Sequence, residues 1–505
     1  MTDKSIAIIG AGLAGLAAGC YAQMNGYRSE IFELHTIPGG LCTAWRRHGY
    51  LFDGALRYLV GTAPGLNAHL LWQELGVLEG RPIHYYDEFS RYEGADGRAF
   101  CLYTDVDQLE AHMLALAPDD AGPTRELARA LRAFDRFDLP VDLTPDDPQE
   151  NLQLGLMMLP FVGPLLQWKD VTLRDFAARF RDPLLREGLA SFFQFTPPDF
   201  PFLMMAMTVA QLARRVAGYP IGGSLDFAEA LARRYKALGG RVHYSARVVK
   251  ILTEAGRATG LQLDDGRVVP AEVVISAADG RTTLFELLAD DYLNETVRGY
   301  YQSLPASESI VQVSLGVARD FSAEPPSLSF PLRRPIWLGD RPFKRLVVKH
   351  YSFDPTMADP GKASLSLWCE ADYRYWATLR QDPDRYTAEK DKVARAVIGA
   401  LDERYPGLAA QVEAVDVATP ITYERYTLNW HGAIHGWAMG ARKLALMMGT
   451  GMRKTLPDLS GFYMIGQWVE PGGNAQLAAA SGRDVLEMIC RADGRPFVTT
   501  ASAPA

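Results

Sequence analysis

The sequence predicts an α/β fold in which a Rossmann-like dinucleotide-binding domain is interrupted by an inserted α+β domain. Three observations predict it: a glycine-rich strand–turn–helix at the N-terminus, a β-rich segment mid-chain, and a strand–loop–helix near the C-terminus. With 505 residues, the chain is longer than one hydrophobic core normally organises. We therefore expect the dinucleotide-binding domain to be assembled from three separated segments.

The N-terminal segment carries the clearest motif. The apolar run Ile6–Ile9 has strand length and is followed at once by Gly10-x-Gly12-x-x-Gly15 and an Ala/Leu-rich helix. In this pattern the first glycine permits a tight turn, the second lets the backbone approach a pyrophosphate, and the third lets the helix pack on the strand. Glu33 ends the second strand, where an acid accepts hydrogen bonds from a ribose. The segment predicts dinucleotide binding.

Composition narrows the function further. The net charge is −8, which argues against nucleic-acid binding because that function needs a basic surface. The five cysteines are dispersed and form no CxxC pair, which indicates free thiols in a reducing compartment. Since the first strand follows the opening residues directly, we expect no signal peptide and a cytoplasmic location.

Between the dinucleotide segments, Tyr85–Thr104 predicts a hairpin and the Pro/Asp-rich stretch Leu139–Glu150 predicts a loop. Two uncharged stretches also stand out there. Asn151–Trp168 carries no charge, but Pro160 and Pro164 are expected to break it, so a membrane-spanning helix is not expected. Phe200–Ala213 predicts an apolar helix. Two interpretations stay open: ordinary core, or a surface that contacts a membrane or lines a lipid channel. A pliable lining of that kind would use the clustered methionines Met157, Met158, Met204, Met205 and Met207.

The dinucleotide-binding domain is expected to return at Tyr219 and again at Asp458. The return begins with an amphipathic helix over Leu225–Leu238, followed by strands and a hairpin around the turn Asp264–Gly266. The predicted organisation is dinucleotide-binding segments at 1–80, 218–290 and 456–495, substrate segments at 81–217 and 291–455, and a tail at 496–505.

Two further loops carry a family resemblance. Pro38-Gly-Gly-Leu41 and Phe52–Gly61 (FDGALRYLVG), together with the N-terminal motif, resemble the phytoene desaturases, carotenoid isomerases and retinol saturases of the flavin amine oxidase superfamily. That resemblance implies a glutathione-reductase-like FAD-binding fold. Leu41 departs from the Arg of many members, and Arg57 from the His of the saturase-like branch.

The C-terminal segment completes the resemblance. Gly461–Gly466 predicts a buried strand, and Pro471–Gly473 opens the helix Leu477–Cys490. In the resembling family this unit closes over the flavin, which implies non-covalent FAD, with a helix N-terminus facing the ring edge that becomes negative on reduction. Gln467, Asn474 and Gln476 depart from the usual Asp, Gly and Pro. Motifs and resemblance together assign to the cofactor Gly10, Gly12, Leu13, Ala14, Gly15, Glu33, Gly39, Gly40, Leu41, Asp53, Gly54, Ala55, Val248, Ala277, Ala278, Gly466, Gln467, Gly472, Gly473, Asn474, Ala475 and Gln476.

An aromatic segment before that unit, Tyr423–Trp437, contains His431 and His435. Their spacing invites a metal interpretation, but Gly432 and Gly436 argue against a helix, so we predict no metal. GAIHGW is similar to stretches that line the substrate channel in phytoene desaturase relatives, which favours an active-site wall over a plain structural turn. The predicted catalytic residues are Arg57, Tyr58 and His435.

Three functions follow as hypotheses. The first is an FAD-dependent oxidoreductase acting on carbon–carbon bonds of a long hydrophobic isoprenoid, with desaturation ranked ahead of saturation and isomerisation. Its partners would be an apolar small molecule and, peripherally, the inner face of a membrane. The second is a flavin amine oxidase, and the third is a flavin- and lipid-binding protein without turnover.

Overall fold

The computed structural model describes residues 4–138, 148–192, 196–438, 440, 452–470 and 473–500, with backbone alone for 148–154. Gly472, the first part of the predicted loop 139–150 and the end of the predicted tail lie outside the described residues. The strands are β1 Ser5–Ile9, β2 Arg28–Phe32, β3 Ala44–Arg47, β4 Tyr50–Asp53, β5 Leu59–Val60, β6 Ile83–His84, β7 Glu88–Glu93, β8 Ala99–Tyr103, β9 Ala217–Pro220, β10 Arg241–His243, β11 Val248–Glu254, β12 Arg257–Leu263, β13 Val268–Pro270, β14 Val273–Ser276, β15 Ser309–Val317, β16 Ser327–Leu338, β17 Arg341–His350, β18 Ala363–Ala371, β19 Val412–Ala418 and β20 Phe462–Met464. The helices are α1 Leu13–Met24, α2 Asn67–Leu75, α3 Val106–Leu116, α4 Ala121–Ala133, α5 Pro148–Trp168, α6 Leu173–Ala177, α7 Pro183–Ala190, α8 Phe202–Ala213, α9 Gly223–Ala237, α10 Glu295–Ser303, α11 Tyr373–Leu379, α12 Pro383–Arg404, α13 Pro420–Thr427 and α14 Ala475–Ala492.

A parallel five-stranded sheet, in the order β10-β2-β1-β14-β20, confirms the predicted α/β fold. Its strands come from all three segments that the sequence predicted to bind a dinucleotide. The helices α1 and α14 cross closely beside the sheet. The crossing is so close that a Cβ at Gly482 would lie 2.7 Å from backbone atoms of Ala14 and Ala18. The C-terminal helix is thereby fixed against the N-terminal motif.

A second, mostly antiparallel sheet has seven strands in the order β19-β15-β18-β17-β16-β7-β8. The predicted hairpin β7–β8 is confirmed and pairs in parallel with β16. The predicted hairpin around Asp264–Gly266 is confirmed as β12–β13. The sequence prediction missed β16, which carries Pro331 and a charged, irregular stretch where its register with β17 shifts. That stretch lacks the alternation by which a strand is recognised.

Helix α5 corrects one prediction. It runs without interruption through Pro160 and Pro164, so the expectation that these prolines break the segment is wrong, as is the expectation of a loop at 148–150. A proline removes the hydrogen bond to the carbonyl four residues earlier. Leu156 and Pro160, which lose partners, lie on the exposed side of α5, where water is available. Among the described helices, none is long and apolar enough to cross a membrane.

Candidate functional site

The β1–α1 turn forms a cradle for phosphate. Gly10 has a φ of +94°, and a Cβ at Gly15 would lie 2.0 Å from the Gly10 carbonyl oxygen, so neither position tolerates a side chain without a shift of backbone. Helix α1 has no side-chain cap and no acid in its first turn. Because the first amides of a helix have no intrahelical acceptor, this end suits a pyrophosphate.

Glu33 lies at the same end of the sheet, directly after β2. One carboxylate oxygen accepts a hydrogen bond from the Ala11 amide at 2.6 Å, and the other accepts from the His35 amide at 2.8 Å. Burial raises the pKa of this carboxyl. These bonds hold the side chain against the glycine turn, at the position where a ribose diol would be recognised.

The second glycine loop lies against the first. The Gly39 amide donates to the Ala11 carbonyl at 2.8 Å, and a Cβ at Gly39 would lie 2.2 Å from the Cys42 carbonyl oxygen. Gly40 and Leu41 follow and, with Gly39, line the same cavity as Gly12. The loop therefore approaches a bound dinucleotide through its backbone.

Asp53 is placed differently from its neighbours. Its buried carboxylate accepts hydrogen bonds from the Tyr219 hydroxyl at 3.0 Å, the Ser224 amide and hydroxyl at 2.8 and 2.6 Å, and the Ala55 amide at 2.9 Å. Gly54 and Ala55 line the cavity, whereas Asp53 lies behind it. Through these hydrogen bonds, Asp53 connects the segment after β4 to the start of α9.

The other predicted cofactor residues line the same cavity from two further directions. Val248, Ala277 and Ala278 border its nucleotide end. At the opposite end lie Gly466, Gln467, Gly473, Asn474, Ala475 and Gln476. The Gly466 amide donates to the Ser481 hydroxyl at 2.8 Å, and Asn474 caps α14 by accepting from the Leu477 amide at 2.9 Å. The cap orients the first turn of α14 towards the cavity.

The three predicted catalytic residues also line this cavity. Burial lowers the pKa of Arg57 to about 10, so the side chain remains a cation at neutral pH, 4.7 Å from the Trp368 ring centroid. Burial raises the pKa of Tyr58, whose hydroxyl lies 3.4 Å from that of Thr208. The His435 amide donates to the Ser307 hydroxyl at 2.9 Å, and a Cβ at Gly473 would lie 2.8 Å from the Cβ of His435.

Beyond these residues the cavity becomes apolar. It has a volume of about 820 Å³ and continues along one face of α8, through Met204, Met207 and Gln211, to Met158 and Leu165 of α5. Met205 is buried elsewhere, and Met157 is exposed. One cavity therefore joins the nucleotide end, the predicted catalytic residues and the apolar helices.

Sequence reasoning missed several residues around this cavity. Trp368 of β18, together with Ser307 and Glu308, lines it without any preceding motif. Buried Lys349 of β17 lies beside Arg57 on a small side pocket. The alternation of β17 identifies a strand but gives no signal that one lysine on it faces inward.

Comparison with known proteins agrees with this geometry. The family model described as flavin containing amine oxidoreductase matches residues 13–485. The chloroplastic prolycopene isomerase of Arabidopsis thaliana is 23% identical over 496 residues, covering 94% of this chain and 80% of that protein. The lycopene-forming phytoene desaturase of a Paracoccus species is 25% identical over 522 residues, covering 96% and 97%.

Solved structures share the fold. An oxidoreductase from Methanosarcina mazei superposes with a TM-score of 0.61 at 18% identity, covering 96% of this chain and all of that one. Putrescine oxidase bound to putrescine gives a TM-score of 0.60 at 14% identity, covering 97% and 99%.

Proposed function

The chain belongs to the family of flavin-containing amine oxidoreductases, so it is an FAD-dependent oxidoreductase, and from that premise we propose that it acts on carbon–carbon bonds of a long apolar isoprenoid. Desaturation ranks first, with saturation and isomerisation as the related reactions. The names of the relatives, phytoene desaturase and prolycopene isomerase, support this substrate class.

The observation that carries the proposal is the single cavity described above. Its far half is bounded by Met158 and Leu165 of α5 and by Met204 and Met207 of α8. Such a lining suits a flexible hydrocarbon. The cavity therefore favours an isoprenoid over the amine oxidase alternative.

The residues that would hold FAD fit that group. The uncapped start of α1 would face the pyrophosphate, Glu33 the ribose, and Val248 with Ala277 the adenosine. The capped start of α14 would face the ring edge. The absence of side chains at Gly10, Gly12 and Gly39 leaves the room that close approach requires.

Arg57, Tyr58 and His435 would have different roles in charge stabilisation and proton transfer. When bound, FAD supplies the site that accepts or returns a hydride. Arg57 stays cationic and so contributes charge, and Tyr58 stays protonated and so donates a hydrogen bond. The imidazole of His435 can take up or release a proton at the wall of the cavity.

Helix α5 supports a peripheral membrane location. Its inner face lines the cavity, while Leu156, Met157, Leu159, Val162 and Leu166 project outward as exposed apolar side chains. An apolar patch of this kind marks an interaction surface. We propose that it contacts a bilayer, so that an apolar substrate enters between α5 and α8 without crossing water.

Two substitutions test the catalytic assignment with phytoene-loaded vesicles as the substrate source. His435→Phe should lower turnover about a hundredfold or more, because general acid–base groups contribute about 10²- to 10⁴-fold. Arg57→Leu should lower it as well, and both variants should retain bound FAD. Full turnover in both variants would contradict the assignment.

A further inference from the structure

A second, smaller pocket, here called the side pocket, lies next to the main cavity, and its polar character is unexpected beside an apolar channel. It has a volume of about 30 Å³ and shares Arg57 with the main cavity. This volume admits a group of a few atoms and no more. Since Arg57 borders both spaces, a molecule in the main cavity that reaches past Arg57 would place its end in the side pocket.

The floor of the side pocket is one face of the seven-stranded sheet. Ser327 lies opposite Lys349, and Ser329 lies opposite Val347, in the register of β16 with β17. Residues directly opposite in an antiparallel pair project to the same face, and all four line the side pocket. Lys349 therefore lies on the sheet face that lines the side pocket, beside two serines.

Lys349 has few partners for a buried ammonium. The side chain is 6% exposed and, within the described residues, donates one long hydrogen bond of 3.5 Å to the Leu56 carbonyl. Its nitrogen lies 4.7 and 5.6 Å from the ring centroids of Tyr351 and Tyr219. An ammonium has three N–H donors, so it retains donors for a ligand.

The local charge is positive. In the described part of the chain, Asp53 is the carboxylate that favours the charged form of Lys349, and it already accepts four hydrogen bonds. Burial and the neighbouring Arg57 charge lower the pKa of Lys349. An anion entering the side pocket would offset both effects, because it adds negative charge beside Lys349.

We infer that Arg57 and Lys349 form an anion-binding pocket that holds the carboxylate at one end of a long, unsaturated substrate. The inference rests on the proposed function, since it names the end group of the chain on which that function acts. Lys349 then favours an acid over an ester or alcohol of the same length.

Binding of a fluorescent polyene acid tests this inference. cis-Parinaric acid and its methyl ester would be titrated into the FAD-loaded protein, and polyene fluorescence would report binding without turnover. The acid should bind about 10- to 100-fold more tightly than the ester, as expected for charge-assisted hydrogen bonds. Lys349→Met should remove most of the preference for the acid and leave ester binding unchanged, whereas Lys349→Arg should retain the preference.

Several outcomes would overturn the inference. Equal affinity for acid and ester in the unsubstituted protein would do so, as would equal weakening of both probes by Lys349→Met. Sodium acetate and oleate would also be compared as competitors at the same concentration. If acetate displaces the polyene acid as effectively as oleate does, the pocket binds a free anion and the inference is overturned. If phytoene is converted while the acid shows no preference, the inference fails and the proposed function stands. If neither probe binds and phytoene is not converted, both fail.

Discussion

The exposed face of α5 gives a prediction whose size follows from the structure. Leu159 and Leu166 are each 62% exposed and lie on the same side of the helix, seven residues apart. Fully burying a leucine side chain is worth about 2 kcal/mol. Scaled by these exposures, inserting both into a bilayer contributes about 2.5 kcal/mol. The double substitution Leu159→Gln/Leu166→Gln should therefore weaken vesicle binding by about 50-fold or more.

Flotation with phosphatidylcholine vesicles measures this effect. Val249→Gln/Val268→Gln provides a matched control, because these side chains are 40% and 57% exposed on the β11–β13 sheet. The control should float as the unsubstituted protein does. If the α5 variant also floats unchanged, or if the control loses binding equally, the reasoning that places α5 in the bilayer is refuted.

Three further predictions follow from buried contacts. Glu33→Gln should weaken FAD binding about tenfold, because a charged hydrogen-bond acceptor is lost. Titration of the apoprotein with FAD measures this affinity, and an unchanged Kd would contradict the prediction. Gly482→Ala should destabilise the fold by about 1–3 kcal/mol in thermal unfolding. The control Gly122→Ala should not, because a Cβ at Gly122 meets no atom within 4 Å. Equal effects of the two substitutions would refute the close helix crossing. Asp279 is buried, and its carboxylate accepts hydrogen bonds from the Thr282 and Trp430 amides. Burial raises the pKa of Asp279 to about 6, so its stability contribution is full below pH ~4 and is lost as the pH rises through 6. Between pH ~4 and pH 6 the free energy of unfolding of the unsubstituted protein should fall by about 3 kcal/mol relative to that of Asp279→Asn. If the two proteins show parallel dependences of unfolding free energy on pH, this assignment is excluded.

The nucleotide end could be predicted because its signal is local. The turn at Gly10, the packing at Gly15 and the acid at Glu33 lie within one strand–helix–strand unit, where glycine geometry limits what the chain can do. The family resemblance, confirmed by the comparisons, extended the prediction to Gly466 and Asn474 at the other end of the chain.

Residues that depend on distant partners could not be placed in this way. Its position in a family motif predicts that Asp53 contacts the cofactor, yet its carboxylate accepts a hydrogen bond from the Ser224 amide, 171 residues away. Lys349 reaches the side pocket only because β17 pairs with β16 and packs near Arg57. Helix α5 continues through Pro160 because solvent can satisfy the carbonyls that proline leaves unpaired, which composition alone does not indicate.

The central claim is that one cavity brings a long isoprenoid to the flavin. The most direct test is to add phytoene-loaded vesicles to the purified FAD-loaded protein without oxygen and to record the absorption spectrum. We predict bleaching of the oxidised flavin band as the substrate gives up hydride. A changed polyene spectrum with an unbleached band would identify isomerisation within the same proposal. If neither spectrum changes with phytoene, desaturation, the reaction that we rank first, is contradicted, and so is isomerisation.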